Sequence, residues 1–220
     1  MKVIFLIFAL FFSSALFAES MNNKLDTIQE TVTIFNTKLS LCSDLNDISC
    51  VKYQLKQMND VDQYLRNHIS TSPELNLWTL ITKQDAINSK RLKLILAIHF
   101  WPKISLFGQN ADSHAWLIAQ HADHDTPFQH EVLFALEQMT KINEAKASHY
   151  AYLYDRIAMK YNEFGIKQRY GTQAQKEDDN RFVIKNLEGS ESEVDERRLA
   201  LGLPILSEYR QDLNIFYAKN

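Results

Sequence analysis

The chain has 220 residues, 45% hydrophobic and 23% charged, with five Gly and four Pro. That is an ordinary globular composition, enough for one sizeable core, and it holds no internal repeat or low-complexity segment. The formal net charge is −3 and no basic run occurs, which argues against nucleic acid and anionic membrane as partners.

The first eighteen residues read as a secretory signal peptide. Lys2 is a minimal positive start, Val3 to Phe12 is an apolar run too short to span a bilayer, and small residues follow at Ser13, Ser14, Ala15 and Ala18. Cleavage is expected after Ala15 or Ala18, and 19–220 is expected to be a single exported helical domain with no membrane span in the mature chain. Cys42 and Cys50 are the only cysteines, and an exported chain with an even count favours a disulfide between them. Closing so short a loop is worth about 2–3 kcal/mol by chain entropy.

Apolar residues at Ile28, Val32, Phe35 and Leu39 predict a helix over Leu25 to Leu41, and Ser43 to Ser49 is the turn the disulfide would clamp. A second helix runs from about Val51 to Ile69, with Asp62 in the middle of its apolar stripe and Arg66 four residues on. An acid on an inward face must be paired or protonated, so an Asp62–Arg66 pair is expected. A third helix is expected from Asp85 to His99, burying Ile87, Leu92, Leu94, Ile95 and Ile98 with Asn88 and His99 inside the arc. Trp101-Pro102 stops it.

His114 to Asp125 reads as one helix. Ala115, Ile118, Ala119 and Ala122 make a thin apolar strip, and His114, Leu117, His121 and Asp125 share another face. The next helix is expected to start at Thr126-Pro127, with Thr126 capping and Gln129 completing a capping box. Its core face is Phe128, Val132, Ala135, Leu136 and Met139. A helix from Ser148 to about Tyr161 carries Asp155 on an apolar face, and Arg156 points too far round to pair with it. Lys167–Gln173 and Arg181–Ile184 read as two strands around the loop Lys176 to Asn180, followed by a loop over Gly189–Ser192 and helices at Val194–Leu201 and Ser207–Tyr217. Gln168 and Gln173 would share a face only if Gly171 made a bulge between them.

Several of these residues fall into ordered motifs: Asp62-Gln63 with Arg66, Trp101-Pro102, Gln120-His121-Ala122-Asp123, Ala151-Tyr152-Leu153 with Asp155-Arg156, Gln168 with Tyr170-Gly171-Thr172-Gln173, and Val194-Asp195 with Arg197-Arg198. In that order they resemble a bacterial domain-of-unknown-function family whose pattern runs DQxxR, GWP, QHAD, AYLxDR, QxYGTQ, VDxRR and LGL. The resemblance covers about 58–209 and supplies a residue list without a mechanism. The chain departs from the pattern at Phe100, where the family has Gly.

The residues therefore assemble a candidate polar centre. His121, Asp123, Asp155 and Arg156 are the catalytic candidates. Asp62, Gln63, Arg66, Trp101, Gln120, Gln168, Tyr170, Gln173, Asp195, Arg197 and Arg198 are candidates for ligand binding. Three readings stay open: a satisfied internal network, a pocket for a small polar ligand, or a hydrolase-type enzyme using His121 with Asp123 or Asp155 for acid–base catalysis. A metal held by His121, His124 and Asp125 is a weaker alternative, and no cofactor is expected. The expected fold class is mainly α (α+β), a helical domain with a small antiparallel β-hairpin near 166–185.

Overall fold

The structure, a computed structural model, describes residues 3–38, 41–177 and 181–218, with side chains described over 18–215 where the backbone is. Leu39 and most of the expected leader's side chains therefore lie outside the described residues, as do positions 178–180 of the polar loop. The elements run α1 (Val3–Lys38), α2 (Ile48–Thr71), α3 (Trp78–His99), α4 (Ile104–Phe107), α5 (Gln109–Gln120), α6 (Thr126–Lys141), α7 (Ala147–Lys160), β1 (Ala174–Lys176), β2 (Phe182–Ile184), α8 (Glu191–Ala200) and α9 (Leu206–Ala218). The fold is mainly helical with one small antiparallel hairpin, in which Gln175 pairs with Val183. Among the described residues no helix is long and apolar enough to cross a membrane.

The core sits around α5. Ala111, Ala115, Ile118 and Ala119 are buried there, and the three alanines let α2, α3 and α7 approach closely. Val51, Leu55 and Met58 from α2, Leu92 and Ile95 from α3, and Phe128, Val132 and Leu136 from α6 complete this layer. A second cluster joins Ile28 and Val32 of α1 to Val61 and Leu65 of α2 and Ile81 of α3. Cys42 and Cys50 are disulfide-bonded and fix the link between α1 and α2.

Four local expectations are corrected. The third helix begins at Trp78, seven residues early, and its buried line is Ile81, Gln84, Asn88, Leu92 and Ile95. Leu94 and Ile98 consequently face out, 62% and 54% exposed. The buried line carries the amide of Gln84 beside the expected Asn88, an inward position that periodicity of apolar residues alone does not favour. Thr126 is not the cap of α6. Asp125 is, its carboxylate accepting from the Phe128 N–H at 3.2 Å, while Pro127 sits in the first turn. Lys167–Gln173 forms no strand; β1 starts only at Ala174. Gly189–Ser192 is not a loop throughout, because Ser190 and Glu193 form a capping box that starts α8 at Glu191.

Candidate functional site

The expected His114–Asp125 helix stops at Gln120, and His121 is its C-cap at φ −91°, ψ 0°. This turns the imidazole off the strip of His114 and toward α2, where its Nδ1 lies 2.9 Å and 3.1 Å from the two carboxylate oxygens of Asp62. Asp62 also accepts from Arg66 Nη1 at 2.6 Å and from Gln63 Nε2 at 2.8 Å. Arg66 reaches on to Asp85 of α3 through Nη2 at 3.1 Å and 3.0 Å. The result is a row, Asp85–Arg66–Asp62–His121, that ties α2, α3 and the end of α5 together.

Burial grades along that row. The Asp62 side chain is 1% exposed, whereas that of His121 is 18% exposed. Among the described residues His121 Nε2 has no hydrogen-bond partner. Two carboxylates face one guanidinium, so with a neutral imidazole the row holds one negative charge in excess. Burial pushes the Asp85 carboxyl up, the Arg66 guanidinium pulls it down, and the nearby Asp62 charge adds to the rise, leaving it above the usual range.

Neither of the carboxylates expected to serve His121 does so. Asp123 is bound by Arg156, through Nε at 3.1 Å and through Nη2, and by Lys160 Nζ at 3.3 Å. Burial alone would raise the Asp123 carboxyl, but the Arg156 and Lys160 contacts outweigh it and hold it below the usual range. Lys160 continues to the Gln129 side-chain oxygen at 2.6 Å, and Gln129 Nε2 donates to the carbonyls of Ala119 and Gln120 at 3.0 Å and 3.3 Å. Gln129 is fully buried and ties α6 to the end of α5, which replaces the capping role expected for it.

Asp155 is also fully buried, and its partners are not cations. The segment after α7 wraps it: Oδ1 accepts from the amides of Arg169 and Tyr170 at 2.7 Å and 3.2 Å, and Oδ2 from the Thr172 amide and hydroxyl at 2.8 Å and 3.0 Å. Burial raises the Asp155 carboxyl against the pull of these four donors. Gly171 has φ +62°, as a bulge would need, yet here it turns a loop around a carboxylate. Gln168 and Gln173 do meet, but differently from the expected shared face. The Gln168 amide brackets the Gln173 backbone, accepting from its N–H at 2.8 Å and donating to its carbonyl at 2.9 Å.

The remaining candidates hold this wrap in place. Arg198, fully buried, donates to the carbonyls of Tyr170, Gly171 and Pro204 at 2.6 Å, 3.3 Å and 2.5 Å and lies over the Tyr209 ring. Arg197 Nε donates to the Arg169 carbonyl at 2.8 Å, and Asp195 accepts from the Leu206 amide at 2.7 Å. Trp101 lies elsewhere, its Nε1 donating to the buried Asp112 at 2.8 Å. Gln120 is buried with its side-chain oxygen unpaired among the described residues. His121, His124 and Asp125 do not converge, and among the described residues no group of three metal-ligating side chains does.

Sequence reasoning missed Asp85 and Asp112. Asp85 lies on the line 85, 88, 92, 95 of α3, and a helix expected to begin at Asp85 itself gives no sign of that inward position. Asp112 precedes the expected helix by two residues, and only the true start of α5 at Gln109 places it inside.

A model of the DUF6624 family, a family of unknown function, matches residues 49–219. The chain belongs to this family. The match begins within the first turn of α2 and ends in the last residues of the chain, so both the Asp62–His121 row and the Asp155 wrap are part of the DUF6624 region, while α1 is not. No curated protein and no solved structure matches the chain.

Proposed function

We propose that the Asp62–His121 pair is an acid–base site and that the chain is an exported hydrolase-type enzyme. The observation that carries this reading is the asymmetry of the His121 ring. Nδ1 is committed to a buried carboxylate, while Nε2 has no partner among the described residues, on a side chain that keeps contact with solvent. With Asp62 accepting, Nδ1 is the donor, so the neutral ring presents its Nε2 lone pair outward. Nε2 can then take a proton from water or a substrate hydroxyl, and Asp62 with the excess negative charge of the row stabilises the imidazolium that forms. Asp123 and Arg156 are set aside as catalytic groups and Asp155 is structural. Export is supported by the apolar N-terminal run and by the disulfide.

Two measurements test the reading. Diethyl pyrocarbonate, which acylates unprotonated imidazole nitrogen, should modify His121 well ahead of the buried His149. A panel of chromogenic esters, phosphoesters, amides and glycosides should reveal turnover that falls about 10²–10⁴-fold in His121→Ala and in Asp62→Asn. Unchanged turnover in His121→Ala, or a His121 that resists acylation while His149 reacts, rules the acid–base role out.

A further inference from the structure

A cleft of about 580 Å³ separates α1 from α3, and His121 is not part of its lining. That volume lies in the range of small-molecule sites. Its lining contains two cations, Lys83 and Arg91, and no carboxylate, although the chain carries 27 acidic residues. Leu25, Val32, Leu80 and Ile87 supply apolar walls.

The floor is a built polar network. Gln84 and Asn88 are each 1% exposed. Asn36 donates to the Gln84 side-chain oxygen at 2.7 Å, Gln84 donates to Asn88 at 3.0 Å, and Asn88 donates to the Met58 carbonyl at 3.2 Å. Arg91 Nη1 donates to Asn36 Oδ1 at 3.1 Å, and among the described residues that is its one hydrogen bond. A guanidinium offers five N–H donors, so among the described residues the remainder are unpaired and can serve a ligand. Burial disfavours the Arg91 charge, and no neighbouring acid offsets it. The protein thus holds a partly desolvated cation in a fixed position by a neutral amide, beside apolar walls.

We infer that this cleft binds a small amphipathic carboxylate, its head taken by Arg91, with Lys83 about two turns away on α3 adding positive potential, and its apolar body lying along Leu25, Val32, Leu80 and Ile87. A guanidinium donates bidentately to a carboxylate, which suits Arg91 better than a spherical anion would. The α1 wall spans residues 25–37, downstream of both expected cleavage positions, so it is retained after export. It lies outside the DUF6624 match, whereas Leu80, Lys83, Gln84, Ile87 and Arg91 on the facing wall lie inside it. The inference is independent of the acid–base reading.

The test is calorimetric titration of the full chain with decanoate and with decanol, which has the same apolar body and no charge. Decanoate should bind at one site at least about tenfold more tightly than decanol, and added salt should weaken decanoate alone. Arg91→Ala should bring decanoate to the decanol level, with Arg91→Lys restoring part of the difference. Lys83 is exposed, so Lys83→Ala leaves the fold intact and should weaken decanoate severalfold. Equal binding of decanoate and decanol to the unmodified protein overturns the proposal without recourse to any variant, as does decanoate affinity that is unchanged in a folded Arg91→Ala protein.

Discussion

Asp155 makes no ion pair among the described residues, yet it gathers three backbone amides around one carboxylate. Three amide donors and a hydroxyl converge on it, so its removal strands buried N–H groups rather than breaking one contact. Asp155→Asn is nearly isosteric but turns one acceptor into a donor facing other donors. It should cost about 2–4 kcal/mol, read from urea unfolding, and a loss under about 1 kcal/mol would contradict the cradle. Phe100 is the opposite kind of residue. At φ +61°, ψ −49° it forms the centre of a tight γ-turn in which the Trp101 N–H donates to the His99 carbonyl at 2.6 Å. Glycine enters that conformation without the steric cost a side chain meets, which gives a physical reason for the Gly that the resembled motif carries before Trp-Pro. Phe100→Gly should therefore stabilise the protein by about 1 kcal/mol, offset slightly by the lost edge contact with Phe134. A lower melting temperature in that variant would mean that the contact outweighs the strain. The residue scale is also where the candidate site was partly legible. Asp62 and Arg66 share a helix face four residues apart, so their pairing follows from local geometry. His121 meeting Asp62 does not, because 59 positions separate them and only the packing of α5 on α2 joins them.

Element starts show what local chemistry can and cannot decide. The helices α2, α5, α6 and α7 were visible because each has an apolar stripe at helical spacing, and their core residues Val51, Ala115, Val132 and Ile157 are buried accordingly. Their ends were harder. Asp125 and Thr126 are both competent N-caps, and only the chain's path out of the Ala122–Asp125 turn selects the first. Asp125→Ala should cost about 1 kcal/mol and Asp125→Asn much less, since the amide oxygen can still cap, while Thr126→Ala should change stability by a few tenths at most. Equal losses at the two positions in thermal unfolding would restore Thr126 as the cap. The segment 167–173 departs from the expected strand for another reason. Its alternation of polar and aromatic residues mimics a strand, but its donors are aimed at Asp155 rather than at a neighbouring strand. Gly171 makes that loop possible: a Cβ there would lie 2.8 Å from Leu206 Cδ2 and 2.9 Å from Leu187 Cδ2. Gly165, also at positive φ, has open space around it. Gly171→Ala should thus cost clearly more than Gly165→Ala, the backbone penalty of about 1 kcal/mol being common to both. Comparable midpoints for the two variants would show that the loop yields around the methyl.

Across the whole molecule the C-terminal third is fastened to the helical core by polar contacts more than by apolar mass. Its own clusters are small, Ile184 with Val194 and Leu206, and Tyr170 with Ala151 and Leu203. Tyr170 sits where the two parts meet, 7% exposed, its backbone tied to both Asp155 and Arg198 and its ring edge-on to Tyr150 and Tyr154. Burial, joined by the neighbouring Tyr150, pushes the Tyr170 hydroxyl up to about 12. The direction of the resulting pH dependence follows from which state releases its proton first. In the unfolded chain Tyr170 ionises near 10, and in the folded protein it stays neutral to about 12, so rising pH favours the unfolded state across that interval. The stabilising contribution is complete below pH 10 and is lost progressively toward pH 12. Burial raises Tyr150 as well, so the alkaline limb has a second contributor at the same junction. Urea unfolding at a series of pH values should show parallel behaviour of the unmodified protein and Tyr170→Phe up to about pH 9. Above pH 10 the unmodified protein should lose stability more steeply, because phenylalanine has no proton to release. If the two curves stay parallel to pH 12, Tyr170 ionises as freely when folded as when unfolded, and the junction between the wrap and α7 is open to water.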